Sequence, residues 1–154
     1  MGAHTGRAHE AVAARHQSYF AALQTRPGGR CQSSDTCVPI SRLAESINNS
    51  IAEAEASGIC YWIIGHVGDG YLHPSYLMDP NDAAEVAAVE QLNVQMVQRA
   101  LRLEGTCTGE HGIGPHTMGY SLDEAGIGAV DMMRSIKRAL DPLNIMNPGK
   151  VFSL

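Results

Sequence analysis

Positive charge is scarce in this chain, with 11 Lys and Arg against 16 Asp and Glu, a formal net charge of -5. The few cations are scattered, whereas a phosphate backbone is held by clustered ones, so nucleic acid is excluded as a partner. No apolar run approaches the roughly 20 residues of a membrane helix, and no transmembrane segment is expected. The opening Met1-Gly2-Ala3-His4-Thr5-Gly6-Arg7 has no apolar stretch of the kind a secretion signal needs. Paired CxxC spacings are missing too. Cys31, Cys37, Cys60 and Cys107 match neither zinc knuckles nor a dense disulfide framework, which leaves free thiols in a reducing compartment as the expectation. Repeats and low-complexity tracts are absent. What is there is a 154-residue chain, 44% hydrophobic, long enough for one domain with a real core and too short for two of ordinary size.

The apolar pattern alternates between helical and extended periods. His9 to Leu23 reads as a helix ended by Arg26-Pro27-Gly28-Gly29, and Ser41 caps a second helix through about Ser57 in which Leu43, Ile47 and Ile51 recur at helical spacing. Two strands follow, Ile59 to Ile64 and Ser75 to Met78. Asn81 or Asp82 caps a long helix to about Leu103, with Val86, Val89, Val94 and Val97 apolar. A last helix from about Leu122 to Leu140 ends at Asp141-Pro142, where proline forbids continuation. The order is that of an α+β fold, a small antiparallel sheet covered on one face by helices.

Between the two strands lies Gly65-His66-Val67-Gly68-Asp69-Gly70-Tyr71-Leu72-His73. Gly-Asp-Gly favours a hairpin, because glycine accepts the positive φ of tight turns, and both histidines then sit at its turn end. Asp69 reads as a turn residue. Farther on, Gly105-Thr106-Cys107-Thr108-Gly109-Glu110-His111-Gly112-Ile113-Gly114 offers a carboxylate and a third imidazole in a loop too rich in glycine for a helix. Each of these residues has an ordinary structural role as its rival: a hydrogen-bonded structural histidine for His66 and His73, a helix-capping carboxylate for Glu110, a supporting group for His111. Two imidazoles at matched spacing with a carboxylate downstream favour an open divalent-metal site, His66, His73 and Glu110, with room left for substrate. A histidine that titrates near neutrality is a natural base for a hydroxyl proton, the role assigned to His111. Histidines four apart on a helix, which a metalloprotease would want, do not occur.

These two stretches, with Asp141-Pro142-Leu143-Asn144-Ile145-Met146-Asn147-Pro148-Gly149-Lys150-Val151, resemble the C-terminal part of FAD-linked D-2-hydroxy acid dehydrogenases of the vanillyl-alcohol oxidase type. Ala14-Arg15-His16, Tyr19-Phe20-Ala21-Ala22-Leu23, Thr25-Arg26-Pro27-Gly28 and Cys37-Val38-Pro39-Ile40-Ser41-Arg42-Leu43 are most similar to the D-lactate dehydrogenase (cytochrome) branch. The resemblance implies that residues 1–154 are the later part of the substrate (cap) domain, N-terminally truncated, with the FAD-binding domain outside it. The chain alone is then expected to be inert. The resemblance also implies that Arg15 clamps the carboxylate of a D-2-hydroxy acid, D-lactate first among them, with Arg30 as a second cationic contact. His66, His73 and Glu110 would hold Zn(II) or Mn(II), His111 would remove the hydroxyl proton, and hydride would pass to the flavin to give the 2-oxo acid. Asn147 would face the flavin, its ordinary alternative being a C-terminal turn former. The partners implied are an FAD-binding domain or subunit and an electron acceptor such as cytochrome c, a quinone or an electron-transfer flavoprotein. A cytoplasmic location is expected, or a mitochondrial one in a eukaryote. Two positions depart from the family pattern: Tyr71 stands where relatives have asparagine, and Thr117 where they commonly have lysine. The competing reading is an inactive metal-binding paralogue or assembly partner.

Overall fold

A computed structural model of the chain describes residues 17–154. Arg15 and most of the expected first helix lie outside these residues, and residues 17–24 are helical. The elements that follow are β1 (Arg30–Ser33), β2 (Thr36–Cys37), α1 (Ile40–Ser57), β3 (Cys60–His66), β4 (Tyr71–Met78), α2 (Ala83–Arg102) and α3 (Tyr120–Leu140). Helices and a small antiparallel sheet make the α+β architecture that the periodicity predicts.

The sheet has four strands where the sequence predicts two. β4 is its centre; β3 pairs with it antiparallel on one side, while β1 and β2 follow one another along the other. Arg30 to Cys37 is poor in β-branched and aromatic residues, so no strand signal exists there, and the pairing comes from the backbone. The register runs unchanged across the gap between β1 and β2. Ser33 stands opposite Ser75 and Thr36 opposite Leu72, so Asp35, in the gap, is set opposite His73.

Strand alternation then sorts the β4 side chains. Leu72, Tyr76 and Met78 turn toward the helices, where they pack with Leu43 and Ala54 of α1 and Val89, Leu92 and Ala100 of α2. Tyr71, His73 and Ser75 take the opposite face. The Ser75 hydroxyl donates to the Ser33 hydroxyl at 3.0 Å on that face. A third cluster, Met96, Val97 and Cys107 with Ile113 and Tyr120, ties α2 to the glycine-rich loop and the start of α3.

Caps follow the sequence with one correction. Asp82 caps α2, its carboxylate accepting from the N–H groups of Ala84 and Glu85 at 2.9 and 3.3 Å. Ser41 does not cap α1. The helix starts one residue earlier, Pro39 holds the N-cap position, and no side chain satisfies the first turn, because a proline fixed near φ -65° already sets the entry angle. α3 is two helical pieces joined at Gly126, whose φ of 75° breaks the regular backbone.

α1 and α2 are joined through a buried cation. Arg99 donates to Glu53 at 2.5 Å and to the Ser50 hydroxyl at 2.6 Å, and its own side chain is nearly inaccessible while Glu53 reaches solvent. Glu53→Ala leaves that guanidinium without its counter-charge. A loss of ~3 kcal/mol is expected, because an unpaired buried charge is costly, to be read as a lowered Tm or urea midpoint; an unchanged midpoint would show that water reaches Arg99.

Candidate active site

The hairpin forms as the Gly-Asp-Gly turn predicts. β3 ends at His66, β4 begins at Tyr71, and the Asp69 N–H donates to the His66 carbonyl at 2.9 Å. Gly70 has φ 81°, which is why glycine is needed there. His66 is opposite Tyr71 and Ile64 opposite His73, so the two imidazoles are diagonal neighbours on the face away from the helices. Their ring centroids are 6.0 Å apart.

The loop after α2 closes over this pair. Glu110 Oε1 lies 3.2 Å from His73 Nε2 and 3.9 Å from His66 Nε2, and one ligand atom from each of the three lies within 4.8 Å of the others. The structure thus brings together His66, His73 and Glu110. His73 is 7% exposed, and among the described residues its Nε2 has no hydrogen-bond partner in spite of the near carboxylate. Two imidazole nitrogens and one carboxylate oxygen suit zinc or manganese and leave coordination positions open. His111 stacks on His73, centroids 5.3 Å apart and planes 18° off parallel, with its own ring exposed.

The loop is held by a residue that the sequence does not single out. Oδ2 of Asp35 accepts from the N–H groups of Gly109, Glu110 and His111 at 2.8, 2.9 and 2.8 Å and from the Thr108 hydroxyl at 3.0 Å. Burial raises the pKa of this carboxyl; the His111 and Glu110 N–H groups and the Thr108 hydroxyl outweigh that and bring it below the ordinary value. A second carboxylate, Glu124 of α3, accepts from the Cys107 N–H at 2.8 Å. Burial, then Glu124 beside it, pushes the Cys107 thiol up to about 12, so it stays a thiol and no nucleophile. All four cysteines are free. In sequence, Asp35 and Glu124 look like ordinary surface carboxylates, and only the loop folding back onto them gives them their roles.

Both departures from the family pattern have a local fit. The Tyr71 ring stands edge-on to His66, centroids 6.2 Å apart. A Cβ on Gly109 would overlap that ring and come within 2.7 Å of Asp35 Oδ1, so glycine makes room for the phenol. The Thr117 hydroxyl accepts from the Gly114 N–H at 2.9 Å and closes the turn that follows Gly-Ile-Gly.

Arg30 and His111 line one cavity of ≈ 580 Å³, together with Asp35, Asn93, Thr108 and Thr117. Among the described residues Arg30 has no ion-pair partner. His66, His73 and Glu110 are not among the residues lining this cavity, so the triad adjoins it through the stacked His111 and does not share its wall. Asn147 lies elsewhere. It is in a left-handed turn, φ 47°, beside a separate pocket of ≈ 200 Å³. The segment that follows returns to the loop, where Val151 N–H donates to the Ile113 carbonyl at 3.2 Å and the Ser121 hydroxyl to the Val151 carbonyl at 2.7 Å.

Comparison with known proteins places this arrangement. The chain is 45% identical over 141 residues to a protein of Danio rerio named probable D-lactate dehydrogenase, mitochondrial, covering 92% of this chain and 28% of the relative. It is 43% identical to D-lactate dehydrogenase [cytochrome], mitochondrial, of Arabidopsis thaliana, over 89% of this chain and 24% of that one. Glycolate oxidase subunit GlcD of Bacillus subtilis is 39% identical over 77% of this chain and 25% of its own length. The chain thus spans about a quarter of the length of these curated relatives. Its fold matches 4-ethylphenol oxidase from Gulosibacter chungangensis with a TM-score of 0.60 at 20% identity, over 95% of this chain and 30% of that structure. The family model for the C-terminal domain of FAD linked oxidases matches residues 3–151, and the chain belongs to that family.

Proposed function

We propose that this chain is the substrate-binding part of an FAD-dependent dehydrogenase that oxidises a D-2-hydroxy acid, D-lactate in the first instance, to the 2-oxo acid. The observation that carries the reading is the meeting of His66, His73 and Glu110 with His111 stacked against them. Arg30, which lines the same cavity as His111, would take the substrate carboxylate, which a guanidinium holds bidentately. Arg15 would share that task. His111, exposed on its outer side, removes the proton of the 2-hydroxyl. His66, His73 and Glu110 would hold Zn(II) or Mn(II), which, when bound, supplies Lewis acidity toward that hydroxyl. FAD, when bound, supplies the hydride acceptor for C2. Asn147 is assigned to the flavin's surroundings.

The partners in this reading are an FAD-binding domain, in the same or a separate polypeptide, and an acceptor such as cytochrome c, a quinone or an electron-transfer flavoprotein. Exposed apolar residues support a covering partner: Ile127, Met132, Ile136 and Leu140 of α3 face solvent, and only Ser121 and Val130 of that helix are buried. Among the described residues, no helix is long and apolar enough to cross a membrane. The names of the relatives favour the mitochondrial location over the cytoplasmic one.

The test is reconstitution. Purified alone, the chain should be colourless and without turnover; a yellow preparation with dehydrogenase activity would refute the need for a flavin-binding partner. Combined with an FAD-binding domain it should bleach the flavin with D-lactate, and D-2-hydroxyglutarate and glycolate serve as the alternative substrates. Metal uptake with no bleaching by any of the three would instead favour the non-catalytic metal-binding domain.

A further inference from the structure

Asp35 faces the site with both oxygens, and only one of them is accounted for. Oδ2 is the fourfold acceptor that folds Thr108 to His111 round itself. Oδ1 is buried, has no hydrogen-bond partner among the described residues, and lies 3.5 Å from His73 Nδ1. The same His73 nitrogen is 3.3 Å from the Ser34 carbonyl. Nδ1 has a hydrogen-bonded acceptor in the Ser34 carbonyl and a second acceptor in Asp35, whereas Nε2 makes no hydrogen bond to the one acceptor near it, so the proton of a neutral imidazole belongs on Nδ1 and the lone pair is left on Nε2. Nε2 is the atom that meets Glu110 at 3.2 Å.

We propose that Asp35 is the positioning residue of the site, holding the His73 proton on Nδ1 while its other oxygen folds the loop that brings Glu110 to Nε2. One carboxylate thereby sets both the direction of a ligand lone pair and the place of its neighbouring ligand. The strand register makes this possible by setting Asp35 opposite His73 across the gap between β1 and β2. Metal-binding histidines are commonly oriented in this manner, through a carboxylate on the other ring nitrogen. The part of the inference that concerns metal rests on the ligand set proposed above; the part that concerns the tautomer does not.

Asp35→Asn is the informative change. Three N–H groups and a hydroxyl keep the amide oxygen in the Oδ2 place, so the amide NH2 is turned toward His73 Nδ1. A donor there disfavours the Nδ1 proton and drives it to Nε2. Long-range 1H–15N correlation spectra of the labelled chain, taken where the imidazole is neutral, should show His73 protonated at Nδ1 in the wild type and at Nε2 in the variant. Zn(II) affinity, measured by calorimetry, should fall about 10–100-fold, the effect usual for an outer partner of a metal histidine. An Nε2 proton on His73 in the wild type would overturn the proposal without any variant, as would unchanged tautomer or unchanged zinc affinity in a folded Asp35→Asn chain. A wild type with the Nδ1 proton that takes up no zinc would uphold the positioning by Asp35 and refute the metal reading alone.

Discussion

His111→Gln, in the chain reconstituted with its flavin-binding partner, is expected to lower kcat by about 10²–10⁴-fold, the usual worth of a positioned general base. Glutamine keeps hydrogen-bonding capacity and approximate size while losing basicity near neutrality. The fold should not suffer. His111 is held through its backbone N–H, which donates to Asp35 Oδ2 at 2.8 Å whatever the side chain, and its ring is exposed. Substrate binding should change less than turnover, because the carboxylate is assigned to the arginines. Arg30→Met should show the converse pattern, a raised KM with a smaller change in kcat, since it removes binding felt equally in ground and transition state. A His111→Gln enzyme that keeps kcat within about threefold of wild type, far inside the range for a general base, would remove His111 from that role.

How much of this arrangement is legible in the chain depends on whether a feature is local. The β3–β4 hairpin is local: its turn chemistry and flanking apolar runs lie within 20 residues, and the period of two fixes His66 and His73 on one face once the hairpin closes. α2 is legible for the same reason, with Asp82 as its cap. Glu110 is named by the glycine-rich loop around it, and its meeting with the histidines needs that loop to turn back from the end of α2. What turns it back is invisible in sequence. Asp35 is 76 residues from His111 and sits in Ser33-Ser34-Asp35-Thr36, a polar stretch that reads as a surface turn. β1 and β2 are missed with it, because their residues carry no strand propensity and gain their order from β4. Ser41 illustrates the opposite error, a residue of capping type two positions past the actual N-cap, Pro39, and already inside the helix that begins at Ile40. Buried Arg99 is likewise unreadable, since one arginine in an amphipathic helix looks solvated until Glu53 and Ser50 of another helix close on it.

The second large effect expected is on metal content. His73→Ala should abolish stoichiometric Zn(II) or Mn(II) in the purified chain, and His66→Ala should weaken it by more than the ~10–100-fold that outer partners contribute. The two are not equivalent in the structure. His73 is buried, its Nε2 lacks a partner among the described residues, and Glu110 is 3.2 Å away; His66 is half-exposed and stands 3.9 Å from the same oxygen. A buried imidazole nitrogen without a hydrogen bond is costly, of the order of 1–3 kcal/mol, and a cation removes that cost when it binds. His73→Ala should therefore lose the metal, and the chain without metal should also lose stability, because the Nδ1 contacts with Ser34 and Asp35 and the stacking on His111 go with the buried ring. Asp69→Asn provides the control. Its backbone closes the hairpin turn by donating to His66 and accepting from the Cys37 thiol, so the change of side chain should leave metal content at the wild-type level. Elemental analysis of the dialysed proteins decides the matter. Wild-type zinc or manganese in both histidine variants would mean that the three side chains meet for another reason, and that the proton taken by His111 is not made acidic by a metal held there.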